Sequence, residues 1–490
     1  MPPARIEKLM VEKILVANRG EIAVRVLRAI REAGLRSVAV FTDIDRRSLH
    51  LAHADEAYPV DSYLNPESIL AVARLSGAGA LHPGYGFLSE NAGFAALCAD
   101  AGVLFIGPPA EAIRLLGSKT TAREVAIGAG APVVPGSDGA ITDMAEARRV
   151  ASGIGYPVLI KAAAGGGGKG MRLVERESEL ESALRDASSE AERSFRSGEV
   201  YLEKALIHPR HIEIQIFGDN HGHLIHLGER ECSIQRRHQK VIEECPSPLV
   251  VLHPEMREAM GEAALKVARA AGYTNAGTAE FLVDADRNFY FLEMNTRLQV
   301  EHPVTELVTS TDLVHMQLEA AFGAELPLRQ SDVTWRGAAI QCRLYAEDPA
   351  NQYFPSPGRI DRLRMPAGPG IRLDNGVYEG WTVPMEYDPL LAKLCVWAQD
   401  RPMAIARMER ALRETEILGI ANNVGFFRQL LRDERFRSGA LHTGFLNEFV
   451  YRPETELSET ELEAAIAVLA AAEPGVASSM PVARSNWSRR

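Results

Sequence analysis

The sequence is poor in cysteine and has no long apolar run. Its 490 residues include five cysteines, at positions 98, 232, 245, 342 and 395, and none belongs to a Cys-x-x-Cys pair. An odd and scattered set argues against a disulfide framework or a cysteine zinc site, which favours a reducing cytoplasm. No segment approaches the roughly 18 uncharged apolar residues that span a bilayer. The short, charged start of the chain predicts no signal peptide.

The sequence also lacks an excess of positive charge. It has 54 lysines and arginines against 65 aspartates and glutamates, for a net charge of −11, and no long basic run. This acidic balance argues against nucleic acid as a partner. Phosphate ligands remain compatible with it, because a few local groups hold them. The Walker A loop is absent too, and Gly20, which follows the first predicted strand, begins no Gly-x-Gly-x-x-Gly fingerprint. These two observations disfavour a P-loop nucleotidase and a Rossmann dehydrogenase.

Alternating strand and helix patterns fill the first 118 residues. Residues 14–16 are typical of a buried strand, and Ile22, Val26 and Ile30 recur on one helical face. Further strands are predicted at 38–40, 80–81 and 104–106. This alternation predicts a parallel sheet wrapped by helices, with its ligand edge at the carboxyl ends of the strands.

The rest of the chain divides by composition. A stiff connector at 131–136 precedes a compact α/β segment that extends to about residue 204. Strands are predicted to dominate from about 205 to 330, where the runs 277–284 and 288–295 form a hairpin, and an α+β region extends to about 450. Beyond 452, Ser458 and Glu461 form a capping box. The helix that follows either packs on the body or docks a partner subunit, and the polar end is expected to fray.

A run of glycines follows a predicted strand at 157–160. Residues 161–170 read Lys-Ala-Ala-Ala-Gly-Gly-Gly-Gly-Lys-Gly. Four consecutive glycines form neither a stable helix nor a stable strand, but they allow backbone N–H groups to approach phosphate oxygens closely. Lys161 and Lys169 flank the run and add positive charge. We interpret it as a phosphate-binding loop, with a flexible linker as the alternative.

Residues 293–301 place five polar side chains on one face if the chain is extended. If Asp286 and Arg287 form a two-residue turn, Glu280 lies opposite Glu293, and like charges across a strand pair are unfavourable. A magnesium ion would remove this conflict, because Mg²⁺ prefers oxygen ligands. The alternatives are a solvated strand and a slipped register. The polar face comprises Glu293, Asn295, Arg297, Gln299 and Glu301, and the predicted magnesium ligands are Glu280, Glu293 and Asn295.

Two other polar segments allow more than one interpretation. Residues 229–240 are dense in charge around His238 and form either a surface turn, a nucleic-acid patch or part of a ligand site. The acidic residues that flank the basic cluster argue against nucleic acid. Residues 82–91 contain two glycines after an apolar strand, and they form either a ligand-edge turn or a tight loop.

Six motifs in order resemble the biotin carboxylase family. The runs ANRGEIA, HPGYGFLSEN, GGGGKGM, PRHIEIQ, QRRHQK and EMNTRLQVEHPVTE occur with family-like spacing over about residues 11–450. The resemblance implies α/β and α+β structure in an ATP-grasp fold. Its expected parts are a Rossmann-like N-terminal domain (11–118), an ATP-grasp region (119–330) with a mobile lid at about 133–204, a mixed α+β C-terminal domain (331–450) and a helical, frayed tail (451–490).

The resemblance also implies a reaction. ATP and bicarbonate would give carboxyphosphate, whose CO₂ passes to N1′ of biotin, with Mg²⁺ or Mn²⁺ as the metal. Glu301 matches the general base for bicarbonate, and Arg343 matches the group that stabilises the enolate-like oxygen of biotin. The other matches are Lys240, Arg297 and the backbone N–H of Val300 for bicarbonate, Glu280, Glu293 and Asn295 for the metal, and Lys119, Lys161, Gly167, Gly168, Glu203, Lys204, Leu206, His211, Gln235 and His238 for ATP.

The resemblance extends to partners. The chain has no Met-Lys-Met-type biotin acceptor, so biotin is expected on a separate biotin carboxyl carrier protein. A carboxyltransferase subunit would then use carboxybiotin, as in an acyl-CoA carboxylase of fatty acid biosynthesis. Family members are often homodimers, and Arg19 and Glu21 lie in a region that the family uses for the dimer contact.

Two other functions compete with this hypothesis. Another ATP-grasp ligase, acting on a different carboxylate, would share the lysines and the magnesium carboxylates but not Arg343 and the QVEHPVTE run. A non-catalytic nucleotide-binding subunit would be expected to have lost part of the catalytic set. The presence of Glu280, Glu293, Arg297, Glu301 and Arg343 argues against the second alternative.

Overall fold

The N-terminal region is built on an apolar strand with polar turns at its end. In the computed structural model, which describes residues 11–137, 139–141, 143–162, 171–195 and 197–453, Ile14, Leu15 and Val16 are fully buried. They belong to the central strand of a five-stranded parallel sheet with the order β3-β2-β1-β4-β5, as predicted. The elements are β1 (Lys13–Val16), α1 (Gly20–Glu32), β2 (Arg36–Phe41), β3 (Glu56–Pro59), α2 (Pro66–Ser76), β4 (Ala80–His82), α3 (Ala92–Asp100), β5 (Leu104–Phe105) and α4 (Ala110–Gly117), with 3₁₀ turns at Asp43–Asp45 and Leu49–His53.

The turns at the carboxyl edge of this sheet are tied together. The Asn18 side chain, which follows β1, donates to the carbonyls of Pro83 (2.7 Å) and Tyr85 (2.8 Å), which follow β4. Gly84 has a φ of +64°, and a Cβ there would lie 2.8 Å from Asn18 Nδ2. Glycine is therefore required at 84 for both conformation and space. The 82–91 segment is thus a turn at the ligand edge.

A small α/β segment with its own apolar core follows helix α5. Its three strands form an antiparallel sheet in the order β7-β6-β8, and helices α6 and α7 pack against it. The connector at 131–136 has no helix or strand, as predicted. Gly167 and Gly168 lie outside the described residues. The elements are α5 (Lys119–Gly128), α6 (Met144–Ile154), β6 (Val158–Ala162), β7 (Arg172–Val174), α7 (Glu177–Phe195) and β8 (Val200–Lys204).

The 205–330 region contains the four strands that alternation predicts, but also four helices. Helices α8 to α11 and the short strands β11 to β13 are not among the predicted elements, so that part of the prediction is incomplete. Helix α9 packs on strands β9 and β10 through residues such as Met260 and Ala264. The elements are β9 (Arg210–Gly218), β10 (Leu224–Glu231), β11 (Gln235–Arg236), β12 (Gln239–Lys240), β13 (Ile242–Cys245), α8 (Pro248–Leu252), α9 (Glu255–Ala270), β14 (Asn275–Val283), β15 (Phe289–Asn295), α10 (His302–Thr309) and α11 (Leu313–Ala321).

The C-terminal region continues the same large sheet. An eight-stranded antiparallel sheet has the order β15-β14-β9-β10-β13-β16-β23-β21, so that strands before and after residue 330 share one sheet. The elements are β16 (Ala338–Tyr345), β17 (Glu347–Asp348), β18 (Phe354–Pro355), β19 (Gly358–Arg359), β20 (Arg362–Arg364), β21 (Ile371–Asn375), β22 (Thr382–Val383), β23 (Leu390–Ala398), α12 (Arg401–Glu414), β24 (Glu416–Leu418), α13 (Val424–Leu430), α14 (Glu434–Ser438) and α15 (Phe445–Glu448), after a 3₁₀ turn at Gln330–Asp332.

Two further predictions concern the C-terminal capping box and membrane-spanning helices. The capping box at Ser458 and Glu461 lies outside the described residues. Within the described ranges, no helix combines the length and the apolar character that crossing a membrane requires.

Candidate active site

A cleft of about 1310 Å³ gathers residues from all parts of the fold. Its walls come from the turns after β1 and β4, the α/β segment, the large sheet and the C-terminal region. Of the predicted site residues, Lys119, Lys161, Glu203, Lys204, Leu206, His211, Gln235, His238, Lys240, Glu280, Glu293, Asn295, Arg297, Val300 and Arg343 all line it. Glu301 is fully buried and contacts two of these lining residues.

The hairpin of β14 and β15 places Glu280 directly opposite Glu293. The predicted pairing is confirmed, but its derivation from a two-residue turn is wrong. The turn is longer: Asp284 N–H donates to the carbonyl of Asn288 at 2.9 Å. The longer turn would by itself shift the strand register by one residue. An irregularity after Glu280, where Leu292 is an extra residue, shifts the register back and restores the pairing of Glu280 with Glu293.

The polar run 293–301 is not an extended strand, contrary to prediction. Strand β15 ends at Asn295, and a loop leads into helix α10 at His302. The predicted polar side chains nevertheless converge, because the loop folds back on itself. Arg297 donates to Asn295 Oδ1 at 2.9 Å and to Gln299 Oε1 at 3.1 Å.

Glu280 and Glu293 differ in their surroundings. Glu280 is buried and accepts from Lys240 Nζ at 2.7 Å and Asn295 Nδ2 at 2.8 Å, while His211 Nε2 lies 3.1 Å away. Burial alone would raise the pKa of Glu280, but Lys240 and His211 hold it well below its ordinary value. Glu293 is partly exposed, and Lys119 Nζ lies 3.5 Å from its carboxylate.

These residues fit a magnesium ion. Two carboxylates face each other on the cleft wall, and Asn295 lies beside Glu280. The amide nitrogen of Asn295 donates to Glu280 and its oxygen accepts from Arg297, so each of the three side chains has an oxygen to offer a metal. Mg²⁺ is held in this way, by one or two carboxylates together with substrate phosphates. The predicted ligands Glu280, Glu293 and Asn295 are therefore adjacent in the structure.

Lys240 and Arg343 form a cationic cup around Glu301. Lys240 Nζ donates to Glu301 Oε1 at 2.8 Å, and Arg343 donates to Glu301 Oε2 at 3.0 Å. Burial alone would raise the pKa of Glu301, but the two cations hold it well below its ordinary value. Conversely, burial would lower the pKa of Lys240, and the carboxylates of Glu213, Glu280 and Glu301 raise it well above its ordinary value. Glu301 is thus a fixed carboxylate between cations.

The predicted nucleotide residues lie towards the α/β segment. Lys161 donates to Glu203 at 2.5 Å across β6 and β8. Lys204 does not extend freely into the cleft: its amine donates to the carbonyls of Gly155 (3.0 Å) and Tyr156 (3.2 Å). Leu206 follows on the cleft wall. Lys161 and Glu203 therefore face the cleft, while Lys204 braces the α/β segment.

The 229–240 segment forms a small hairpin over the cleft. Gln235 pairs with Lys240 between β11 and β12, and Arg237 and His238 form the turn with φ of +48° and +66°. His238 is exposed and lines the cleft. The hairpin therefore aims Lys240 at the buried carboxylates and belongs to the ligand site rather than to a plain surface turn.

Three family models match the chain and together cover most of it. "Biotin carboxylase, N-terminal domain" matches residues 10–113, "Carbamoyl-phosphate synthase L chain, ATP binding domain" matches 118–329, and "Biotin carboxylase C-terminal domain" matches 341–448. The chain belongs to the biotin carboxylase family. The predicted family and the predicted ATP-grasp fold are both confirmed.

Relatives named biotin carboxylase align with this chain over nearly their whole length. Biotin carboxylase 1 of Bacillus subtilis is 51 % identical over 90 % of this chain and 99 % of that protein. The biotin carboxylase of a Nostoc species is also 51 % identical, over 89 % of this chain and 99 % of that protein. The biotin carboxylase domain dimer of Hydrogenobacter thermophilus 2-oxoglutarate carboxylase, solved with MgADP and bicarbonate, has a TM-score of 0.85 and 47 % identity, and the match covers 91 % of this chain and 100 % of that one.

Sequence reasoning missed several residues of this biotin carboxylase family member that contact the predicted site or lie beside it. Glu243 accepts from Arg343 Nε at 2.5 Å, and Arg230 donates to Glu213 at 2.5 Å while being fully buried. Burial raises the pKa of Glu243 to about 7, although Arg343 opposes the shift. Glu90 accepts from Arg297 at 2.9 Å. A glutamate between two isoleucines, at 213, was the available signal.

Arg19 and Glu21, which were predicted near a dimer contact, are engaged within the chain. Arg19 donates to Asp45 at 2.7 Å and stacks on Tyr387. Glu21 is buried, 3.0 Å from Lys393 Nζ. These two side chains therefore hold α1 to the rest of the fold.

Proposed function

We propose that this chain is a biotin carboxylase that uses ATP and bicarbonate to carboxylate biotin. The observation that carries the proposal is the placement of Glu301 between Lys240 and Arg343, beside Glu280, in one cleft. Such a cup has room for an anion that replaces part of the carboxylate's contact with the two cations. An acid, two cations and a metal site together suit transfer of a phosphoryl group to bicarbonate.

In this proposal Glu301 takes the proton of bicarbonate. The ionised form is the one that acts as a base, and Lys240 and Arg343 keep Glu301 ionised. A bound bicarbonate would share the same two cations and add a negative charge, so it would raise the pKa of Glu301 towards a useful value. Arg297 and the Val300 N–H would complete the anion site, and Arg343 would then face the enolate-like oxygen of biotin.

Magnesium would be held by Glu280, Glu293 and Asn295. Mg²⁺ or Mn²⁺ supplies positive charge that neutralises the phosphate oxygens during transfer. Lys119 and Lys161 would neutralise further phosphate charge from two other sides of the cleft. Glu203, Lys204 and Leu206 would meet the adenine, while His211, Gln235 and His238 would line the rest of the nucleotide site, with Gly167 and Gly168 in the loop.

The domain division and the partners form part of the same proposal. The boundaries are 11–118, 119–330, 331–450 and 451–490, and residues of about 133–204 act as a lid that keeps water from carboxyphosphate. Biotin arrives on a separate biotin carboxyl carrier protein, and a carboxyltransferase subunit uses the product. The enzyme acts in the cytoplasm as a homodimer, a proposal supported by the dimer of the Hydrogenobacter thermophilus domain.

Free biotin tests the activity. Purified protein with MgATP and bicarbonate should cleave ATP faster when biotin is added, and omission of bicarbonate should abolish the increase. A folded protein that cleaves ATP with another carboxylate, and is not stimulated by biotin, would be another ATP-grasp ligase. Nucleotide binding without any cleavage would indicate a non-catalytic subunit. Either result would refute the proposal.

A further inference from the structure

Three metal-binding side chains meet on the surface at a distance from the catalytic carboxylates. His208 lies between β8 and β9, His442 precedes helix α15, and Glu448 ends that helix. Glu448 Oε1 lies 3.6 Å from His208 Nδ1 and 3.8 Å from His442 Nε2. All three donor atoms lie within 4.8 Å of one another. The cluster combines two imidazole nitrogens with one carboxylate oxygen.

The spacing suits a tetrahedral metal. Zinc bonds to nitrogen and oxygen are about 2.0–2.2 Å long, so tetrahedral ligand atoms lie roughly 3.4 Å apart. The two distances to Glu448 exceed this separation by a few tenths of an ångström. His208 and Glu448 are exposed, and small rotations of these two side chains towards the partly buried His442 close such a gap. Three protein ligands would leave a fourth position for water.

Surrounding groups orient the ligands for this role. Arg435 donates to Glu448 Oε2 at 3.1 Å, which leaves Oε1 directed at the histidines. Outer contacts of this kind fix ligands in metal sites. Two arginines near the three side chains are already in ion pairs. Arg435 pairs with Asp433 as well as with Glu448, and Arg210 pairs with Glu231.

The backbone at His208 is a second, independent feature. His208 has a φ of +49°, a conformation that side-chain-bearing residues adopt rarely. The next residue is held in place, because Thr443 N–H donates to the carbonyl of Pro209 at 2.9 Å. The unusual conformation thus brings the His208 ring to 4.4 Å from the His442 ring.

We propose that His208, His442 and Glu448 bind a divalent transition metal such as Zn²⁺. Imidazole ligands favour Zn²⁺, Ni²⁺ or Co²⁺ over Mg²⁺, so the site is distinct from the one at Glu280 and Glu293. A bound ion would link the segment that leaves β8 to helix α15. Because Pro209 and Thr443 both line the cleft, the link would brace one cleft wall. The site does not depend on carboxylase activity.

Cobalt provides the test, because Co²⁺ in a tetrahedral site absorbs strongly in the visible range. Metal-free full-length protein without a histidine tag is titrated with Co²⁺ in excess Mg²⁺, which occupies the oxygen site. The expected result is one equivalent of tetrahedral Co²⁺, which Zn²⁺ displaces. His208→Asn and Glu448→Gln should each weaken Co²⁺ binding by more than the roughly tenfold loss typical of outer contacts. Asparagine is chosen at 208 because it tolerates the positive φ.

The matched control is His253→Asn. His253 is a partly exposed histidine 3.6 Å from Glu255, and among the described residues no third metal-binding side chain joins this pair. This variant should bind Co²⁺ as the wild type does. Absence of a tetrahedral band in the wild type, or a band that persists unchanged in both His208→Asn and Glu448→Gln, would overturn the proposal.

Discussion

Lys240 is the residue on which the site's charge balance depends. Its single ammonium group donates to Glu213, Glu280 and Glu301 and is buried in the cleft wall. Buried carboxylates without a cation are strongly unfavourable. Lys240 therefore allows three acids to be close together and ionised. It joins the proposed metal site at Glu280 to the proposed base at Glu301.

Glu301→Gln tests the proposed base. The amide keeps the shape and some hydrogen bonds but does not accept a proton, so biotin-stimulated ATP cleavage should fall by about 10²-fold or more. Nucleotide affinity, measured by calorimetry, should remain near that of the wild type, because Glu301 lies behind the cleft wall. A parallel loss of nucleotide binding would show that the role is misassigned.

The low pKa of Glu301 gives a pH dependence of stability. Its folded pKa lies below the ordinary 4.5, so its ionised contacts stabilise the fold above about pH 4.5, and this stabilisation is lost as the pH falls lower. The difference in unfolding free energy between wild type and Glu301→Gln should be constant from pH 8 to 6 and shrink below pH 4.5. Denaturant titrations across this range measure it. A difference that grows on acidification would contradict the assignment.

Glu293→Gln tests the proposed magnesium ligand. Glu293 is partly exposed and contacts only Lys119 among the ion pairs of the described residues, so its replacement should leave the fold intact. The Mg²⁺ concentration that gives half-maximal ATP cleavage should rise at least about tenfold. Glu262→Gln, on an exposed helix face beside Lys266, is the control. An unchanged Mg²⁺ requirement would remove Glu293 from the metal site.

At the scale of elements, the β14–β15 hairpin positions Glu280 and Glu293 on the cleft wall. The sequence pattern is sufficient to predict both strands, whereas the predicted pairing of Glu280 with Glu293 is correct only because two departures from the predicted hairpin cancel. The pattern is insufficient to predict the longer turn and the irregularity at Leu292, whose effects on register cancel. Turn length and bulges depend on backbone geometry that side-chain alternation does not report. The same limit explains why alternation predicts an extended chain at 293–301, where the structure has a loop.

The helices missed between 248 and 321 have another cause. Alternation in the neighbouring strands is clear, whereas α8 and α11 are short and largely apolar, so they present little periodic contrast. Strand pairing across residue 330 is also beyond prediction from the pattern. Strands β13 and β16 lie about 90 residues apart in the sequence, and only the folded chain reveals that Glu243 and Gln341 are partners.

A buried ion network joins helix α1 to strands β21 and β23. Lys393 has no exposed surface, and its Nζ lies 3.0 Å from Glu21 and 3.5 Å from Asp374. Lys393→Met should destabilise the protein by about 3–5 kcal/mol, because buried Glu21 loses its cation and, among the described ion pairs, Asp374 keeps only the one with Arg372. Denaturant titration measures the change in the free energy of unfolding. The control Lys266→Met removes an exposed pair and should change stability by less than about 1 kcal/mol. Equal stability of both variants would contradict this role for the network.

At the scale of the whole molecule, the cleft depends on contacts between distant segments. Arg297 meets Glu90 from the turn after β4, and Glu301 meets Arg343 from β16. The ordered motifs identify the family and its candidate residues without any of these contacts. They do not predict which acids are buried beside them, because burial of Glu213 and Glu243 results from sheet assembly.

The most direct test of the central claim follows an oxygen atom. If bicarbonate attacks the terminal phosphate of ATP in this cleft, cleavage with ¹⁸O-labelled bicarbonate and biotin should transfer ¹⁸O into the inorganic phosphate. Mass spectrometry of the phosphate measures it, with one labelled oxygen expected per phosphate formed from the intermediate. Biotin-stimulated cleavage that yields phosphate without ¹⁸O would contradict carboxyphosphate formation, and with it the proposed roles of Glu301, Lys240 and Arg343.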